Sequence, residues 1–174
     1  MAKSSVPAAA YPGTRTARNG PWSTSQVDRF LQEIRVPIRI ACNGTSGHPL
    51  LASLWFVPLD GKLWCATQRK SRVVSLLKRD PRCAFEVSVE TPPYRGVRGA
   101  GVATLHNDRG EEILRTLIDR YLKESNPKLA NLLLARAEHE TAVAIEPKSL
   151  VSWDYQERMG KAAPQPATGP RTCK

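Results

Sequence analysis

The sequence predicts an antiparallel β-barrel with helices packed outside it, a chain of the mainly β or α+β class. Three observations lead there. About six segments have strand character, most of them follow one another directly, and the strand-helix-strand alternation of a parallel nucleotide-binding sheet is missing. With 174 residues and 41% hydrophobic content, the chain suffices for one domain with a substantial core.

Taken in order, Ser23, Thr24 and Ser25 offer N-caps to a helix whose apolar stripe is Val27, Phe30, Leu31 and Ile34. Ile38, Ile40 and Cys42 alternate with Arg39 and Ala41 as a half-buried strand does, and Asn43-Gly44 and Ser46-Gly47 then supply turn chemistry. The apolar run Leu50 to Val57 is a second strand. Asp60-Gly61 is a hairpin signal, and Leu63 to Ala66 returns as the third strand of an expected meander. Ser71 caps the next helix, which Val73, Val74, Leu76 and Leu77 anchor and which ends before Pro81 because a residue preceding proline is pushed out of the helical region. Cys83 to Val89 alternates as a strand, and Pro92-Pro93 interrupts it. Val97 to Leu105 is another, in which Gly99 and Gly101 mark a bend or a close approach. Ile113, Leu114, Leu117, Ile118, Tyr121 and Leu122 form one helical stripe. A shorter helical piece covers Leu129 to Ala135, and a last strand covers Ala142 to Trp153.

The net charge of +10 raises nucleic acid as a partner, but its distribution argues against one. Lys3, Arg15 and Arg18 near the start, and Arg158, Lys161, Arg171 and Lys174 near the end, have no acid among them and leave only +3 on residues 23–157. Both ends are rich in Pro, Ala, Gly, Ser and Thr without apolar periodicity. Residues 1–22 and 158–174 are therefore expected as flexible tails around a domain of residues 23–157. No apolar run approaches the roughly 18–20 residues of a membrane helix, so no membrane partner is expected and the cytoplasm is the expected location. Cys42, Cys65 and Cys83 lie in apolar runs without CxxC spacing and read as buried thiols, with Cys173 exposed.

Conventional catalytic motifs are absent. His48, His106 and His139 have no metal-binding spacing, there is no GxSxG elbow and no phosphate-binding loop, and Gly99-Ala100-Gly101 lies in a strand. The strongest local signal is the stretch from Trp64 to Pro81. There Arg69, Lys70 and Arg72 crowd a helix start capped by Ser71, so that free N–H groups, the helix dipole and side-chain cations converge. Such a spot suits a phosphate group, or it is an exposed basic helix start without function. A phosphate site with no hydrolytic apparatus suggests a phosphorylated cofactor that carries the chemistry itself.

The stretches GHPLLASLWFVPLDGKLWCATQRKSRVVSLLKRDPRCAFEV, PPYRGVRGAGVATL and VSWDYQERM together resemble the pyridoxamine 5′-phosphate oxidase-like split-barrel flavoproteins, over roughly Val27 to Met159. The resemblance implies a six-stranded antiparallel split β-barrel with flanking helices. It also implies a homodimer with one flavin in each of two clefts between subunits. It assigns the flavin phosphate to Thr67, Ser71 and Arg72, with Ala66 beside them and Arg69 and Lys70 adding charge; Val73 stands where relatives keep a lysine. The ring is assigned to the second strand, Ala52 to Val57, with Ser53 and Trp55 sharing a face. Arg98, together with Arg95 on the glycine-bearing strand, is a candidate for the ring edge or the substrate. Ala52 and Gly96 replace an arginine and a glutamine of the pyridoxamine phosphate oxidases proper, and the Ser152-Trp153-Asp154 ending resembles the branch using FMN or a deazaflavin coenzyme.

The expected function is thus a flavin-dependent oxidoreductase that binds FMN, or alternatively a deazaflavin, at a dimer interface and transfers hydride to or from a small molecule. A flavin- or haem-binding carrier without turnover is the competing expectation.

Overall fold

The structure, a computed structural model, describes residues 17–122 and 125–160. Its elements run β1 (Ala17–Asn19), α1 (Thr24–Glu33), β2 (Ile38–Cys42), β3 (Leu50–Leu54), β4 (Val57–Leu59), β5 (Lys62–Gln68), α2 (Arg72–Arg79), β6 (Arg82–Ser88), β7 (Arg95–His106), α3 (Gly110–Tyr121), α4 (Pro127–Leu134), β8 (Glu140–Asp154) and α5 (Gln156–Gly160). Short 3-10 turns precede α3, at Asn107–Arg109, and β8, at Ala137–His139. The strands form one sheet in the order β3-β2-β6-β7-β8-β5-β4, antiparallel throughout, while β1 lies off this path, parallel to β8.

The expected count of six strands becomes eight among the described residues, for two reasons. The run Leu50 to Val57 is not one strand: Phe56, fully buried, gives its amide proton to the Tyr121 hydroxyl at 3.3 Å, and the chain crosses there from β3 to β4. The meander is corrected with it, since β3 pairs with β2 whereas β5 pairs with β4 and β8. Consecutive strands β3 and β4 thus form the two ends of the ladder, and Trp55-Phe56 spans the gap between them. The hairpin signal holds: Asp60 and Gly61 have φ values of 50° and 77°, as a two-residue turn of this twist requires.

The second addition is β1, inside the segment expected as a tail. Trp22 ties this segment down, its backbone N–H donating to Ser152 Oγ at 3.0 Å, its indole Nε1 to Asp154 Oδ2 at 3.2 Å, and its ring tilting onto Phe30 at 4.9 Å. The ordered fold therefore begins by Ala17, not at residue 23. At the other end α5 reaches Gly160, beyond the expected limit of residue 157, with its first amide, Gln156 N–H, held by Asp154 Oδ1 at 2.8 Å. Residues 1–16 and 161–174, which include Cys173 and most of the tail cations, lie outside the described residues.

The barrel interior holds Ile38, Ile40, Leu63, Val87, Val97, Val143 and Ile145, all fully buried, together with the apolar stripe of α2. At about 1.5–3 kcal/mol per buried large aliphatic side chain, these positions dominate the stability. Gly99 meets the expectation of close approach: a Cβ there would stand 2.1 Å from Ser149 O and 2.8 Å from Phe85 Cζ. The register of β7 on β8 shifts between Ala100 and Gly101, which lets these long strands curl. Outside the sheet, α3 buries Ile113 and Leu117 against Trp64, Ala142 and Ala144. Arg120 reaches from α3 to α1, donating to the carbonyls of Leu31, Gln32 and Ile34, each at 2.8 Å. That contact supplies the C-terminal cation α1 lacks in its own last turn.

Candidate functional site

The turn from β5 into α2 forms as its residues dictate. Ser71 adopts the extended conformation of an N-cap (φ −66°, ψ 152°) and its hydroxyl accepts the Val74 N–H at 3.3 Å. The Ser71 N–H closes the preceding turn onto Gln68 O at 2.8 Å. Val73 and Val74 then enter the core. Val73, where the resemblance led us to expect a lysine, packs into the core cluster of the barrel.

The structure separates the cations expected to converge. Arg69 turns back toward β8, its amide donating to His139 O at 2.9 Å and its guanidinium to Glu140 O at 3.3 Å and to Glu138 O. Arg72 leaves in the other direction, to Thr45 Oγ1 at 3.4 Å in the β2–β3 connection. Lys70 is exposed between them. Arg69 and Lys70 line a cavity of about 440 Å³ with Gln68, Arg136 and His139, and no acidic residue lines it. Ser71 and Arg72 are not among its walls.

A second cavity, of about 330 Å³, opens at the gap between β3 and β4. Ser53 and Trp55, expected at the ring, and Ala66, expected beside the phosphate, line it together, and Leu117 of α3 and Leu129 and Leu133 of α4 close it with apolar surface. Trp55 stacks on Tyr121 with ring centroids 5.1 Å apart and planes 7° from parallel. The Tyr121 hydroxyl donates to Val36 O at 3.0 Å, and burial, the largest influence on it, raises its pKa. The stacking surface is thereby held rigid.

Strand β5 links the two cavities. Ala66 lines the apolar one and Gln68 the cationic one, two residues apart on one strand face, or roughly 7 Å. Thr67 points the other way, on the face of its cross-strand partner Thr141, whose buried hydroxyl lacks a partner. Arg98 stands on the outer sheet face in a row with Ser53, Arg39, Glu86 and Val151 across five strands, and it borders neither cavity. So Ser53, Trp55 and Ala66 line one cavity and Arg69 and Lys70 the other, whereas Thr67, Ser71, Arg72 and Arg98 line neither.

Sequence reasoning missed Gln68, Arg136 and His139. Their proximity depends on the β5–β8 register, in which Gln68 faces Glu140 across the ladder, and no local pattern announces a pairing over such a separation. Glu140, half-buried at this junction, has its pKa raised by burial. Among the described residues no group of acidic, histidine or cysteine side chains could hold a metal ion, and no helix is long and apolar enough to cross a membrane.

No family model matches this chain, and no curated protein matches it. Solved structures do. The conserved hypothetical protein Rv2991 from Mycobacterium tuberculosis superposes with a TM-score of 0.67 at 23% identity, covering 92% of this chain and 100% of its own. An F420 reductase follows at TM-score 0.57 and 22% identity, covering 69% of this chain and 92% of its own. An FAD-binding protein from Mesorhizobium loti gives 0.56 and 18%, covering 75% and 93%. The chain therefore has the split-barrel fold, and the resemblance read from the sequence, to the pyridoxamine 5′-phosphate oxidase-like flavin and deazaflavin proteins, holds at the level of that fold.

Proposed function

We propose that this chain is a flavin-dependent oxidoreductase working as a homodimer, holding FMN or, in the alternative, a deazaflavin coenzyme, and exchanging hydride equivalents with a small-molecule substrate. One observation carries the reading: an apolar slot walled by Trp55 and an acid-free cationic cavity open from one face of β5, two residues apart. A ligand with a flat apolar ring system at one end and a phosphate at the other needs that arrangement.

The donor set fits such a group. Lys70, Arg136 and the unspent Nη1 of Arg69 are available to a phosphate, the His139 ring is 3.6 Å from the Glu138 carboxylate, and Ser53, Trp55 and Ala66 border the ring site. Ser71 acts by capping α2, and Arg72 through the Thr45 connection. When bound, the flavin supplies the hydride chemistry. The chain binds, orients and shields: Leu117, Leu129 and Leu133 keep water from the ring, and Tyr121 fixes the plane of Trp55.

The outer sheet face supports a homodimer. In the row Leu51, Ala41, Ala84 and Ala100, side chains are small or apolar across four strands, and Leu51 is 67% exposed.

Mass and visible spectrum of the ligand released from purified protein test the cofactor, and steady-state oxidation of reduced nicotinamide or reduced deazaflavin tests turnover. FMN or a deazaflavin with turnover is the expected result. A tightly bound flavin that no donor reduces would move the chain to the carrier reading, and failure to bind either compound would end the proposal.

A further inference from the structure

Cys42 and Cys83 are direct partners in the antiparallel β2–β6 ladder, and both are buried on the barrel side, at 1% and 7% exposure. Directly opposed residues of such a ladder have Cα atoms about 4.5–5.5 Å apart, inside the 4.4–6.8 Å that disulfides span. Neither thiol is committed elsewhere. Both are free, and Cys83 Sγ makes only a weak 3.7 Å contact to Gly101 O. Cys65 shares the same core cluster and is close enough to Cys83 for their charges to interact, but it sits on β5, which does not pair with β6.

We propose that Cys42 and Cys83 are a dithiol modification site that hydrogen peroxide converts to a cross-strand disulfide. The step balances with the peroxide as two-electron oxidant. Cys83, the more exposed, attacks the peroxide oxygen; the O–O bond breaks, one water leaves and a sulfenic acid forms. Cys42 sulfur then attacks that sulfur, the S–O bond breaks, a second water leaves and the S–S bond closes.

Both residues sit near strand ends, Cys42 last in β2, where the connection of residues 43–49 begins, and Cys83 second in β6. Opening that connection is the route of entry for the oxidant. In the closed state burial, followed by the charge of Cys42, pushes the Cys83 thiol up to about 12, which suppresses the reactive thiolate. Reaction is therefore slow and tracks local opening. The same connection receives Arg72 at Thr45 and Arg79 at Asn43 O, so a clasp beside it also steadies both ends of α2.

The test adds hydrogen peroxide to the purified full-length chain carrying Cys173→Ser, alkylates the remaining thiols and maps the peptides by mass spectrometry. The expected product is a Cys42 peptide joined to a Cys83 peptide, lost on reduction, retained in Cys65→Ala and absent from Cys42→Ala. The map of the Cys173→Ser chain decides alone if a core variant does not fold. A Cys65–Cys83 link, a sulfinic acid on Cys83 without a link, or complete alkylation after peroxide overturns the proposal.

Discussion

The ring of Trp55 lies flat on that of Tyr121, centroids 5.1 Å apart, and the Tyr121 hydroxyl bridges the Phe56 amide and the Val36 carbonyl. One phenol thus fixes a wall of the apolar slot and the point where the chain leaves β3 for β4. Tyr121→Phe keeps the stack and removes both hydrogen bonds, leaving a part-buried amide unsatisfied. Chemical denaturation should record a loss of about 1–3 kcal/mol, with flavin binding weakened less than in Trp55→Ala.

Arg120 makes its three bonds to the C-terminal carbonyls of α1 while partly buried, and that burial lowers its pKa. Arg120→Met retains much of the apolar stem but removes all three bonds, leaving Gln32 O and Ile34 O to Arg35 alone and Leu31 O without its side-chain donor. A loss of about 2–4 kcal/mol in urea unfolding is expected.

Lys70 and Arg72 should behave differently despite their adjacency. Lys70→Ala is expected to weaken binding of the phosphate-bearing cofactor by about tenfold or more without moving the unfolding midpoint, because the side chain is exposed. Arg72→Ala should have a smaller effect on affinity, since its guanidinium is directed to Thr45. Titration calorimetry with FMN, read beside thermal melts, checks both.

Glu140 links stability to pH. Burial raises its folded-state pKa, so between the ordinary glutamate range and that raised value the native chain holds more protons than the unfolded one. Its contribution to stability therefore falls as pH rises through this window. Glu140→Gln should match the wild type below the window and exceed it above, as measured by urea midpoints across pH.

Leu51→Lys places a charge in the Leu51–Ala41–Ala84–Ala100 row. Sedimentation velocity should show a dimer for the wild type and a monomer for the variant, with the fold retained because Leu51 is already 67% exposed.

Much of this was legible in the sequence where the signal is local. The caps at Ser23 and Ser71, the Asp60-Gly61 hairpin, the stripes of α2 and α3 and the crowding at Gly99 all follow from one or two turns of chain. What escaped depends on partners distant in sequence. Trp22 anchors β1 through residues 130 or more positions away, and Phe56 breaks an apolar run because Tyr121 takes its amide. For the candidate site, Ser53, Trp55, Ala66, Arg69 and Lys70, singled out in the sequence, do line the two cavities. Side-chain direction was not: Arg69 and Arg72 diverge from neighbouring positions, and Arg136 and His139 arrive only through the β5–β8 register.

A sheet that does not close leaves strand edges available to other chains, and here those edges are unequal. β4 is three residues long with Pro58 at its centre, a residue with no N–H to offer, and β1 is equally short. β3 is a five-residue edge without proline and with Leu51 outward. Strand addition, whether in assembly or in aggregation, is therefore one-sided, and β3 is the edge at which a foreign strand would continue the sheet.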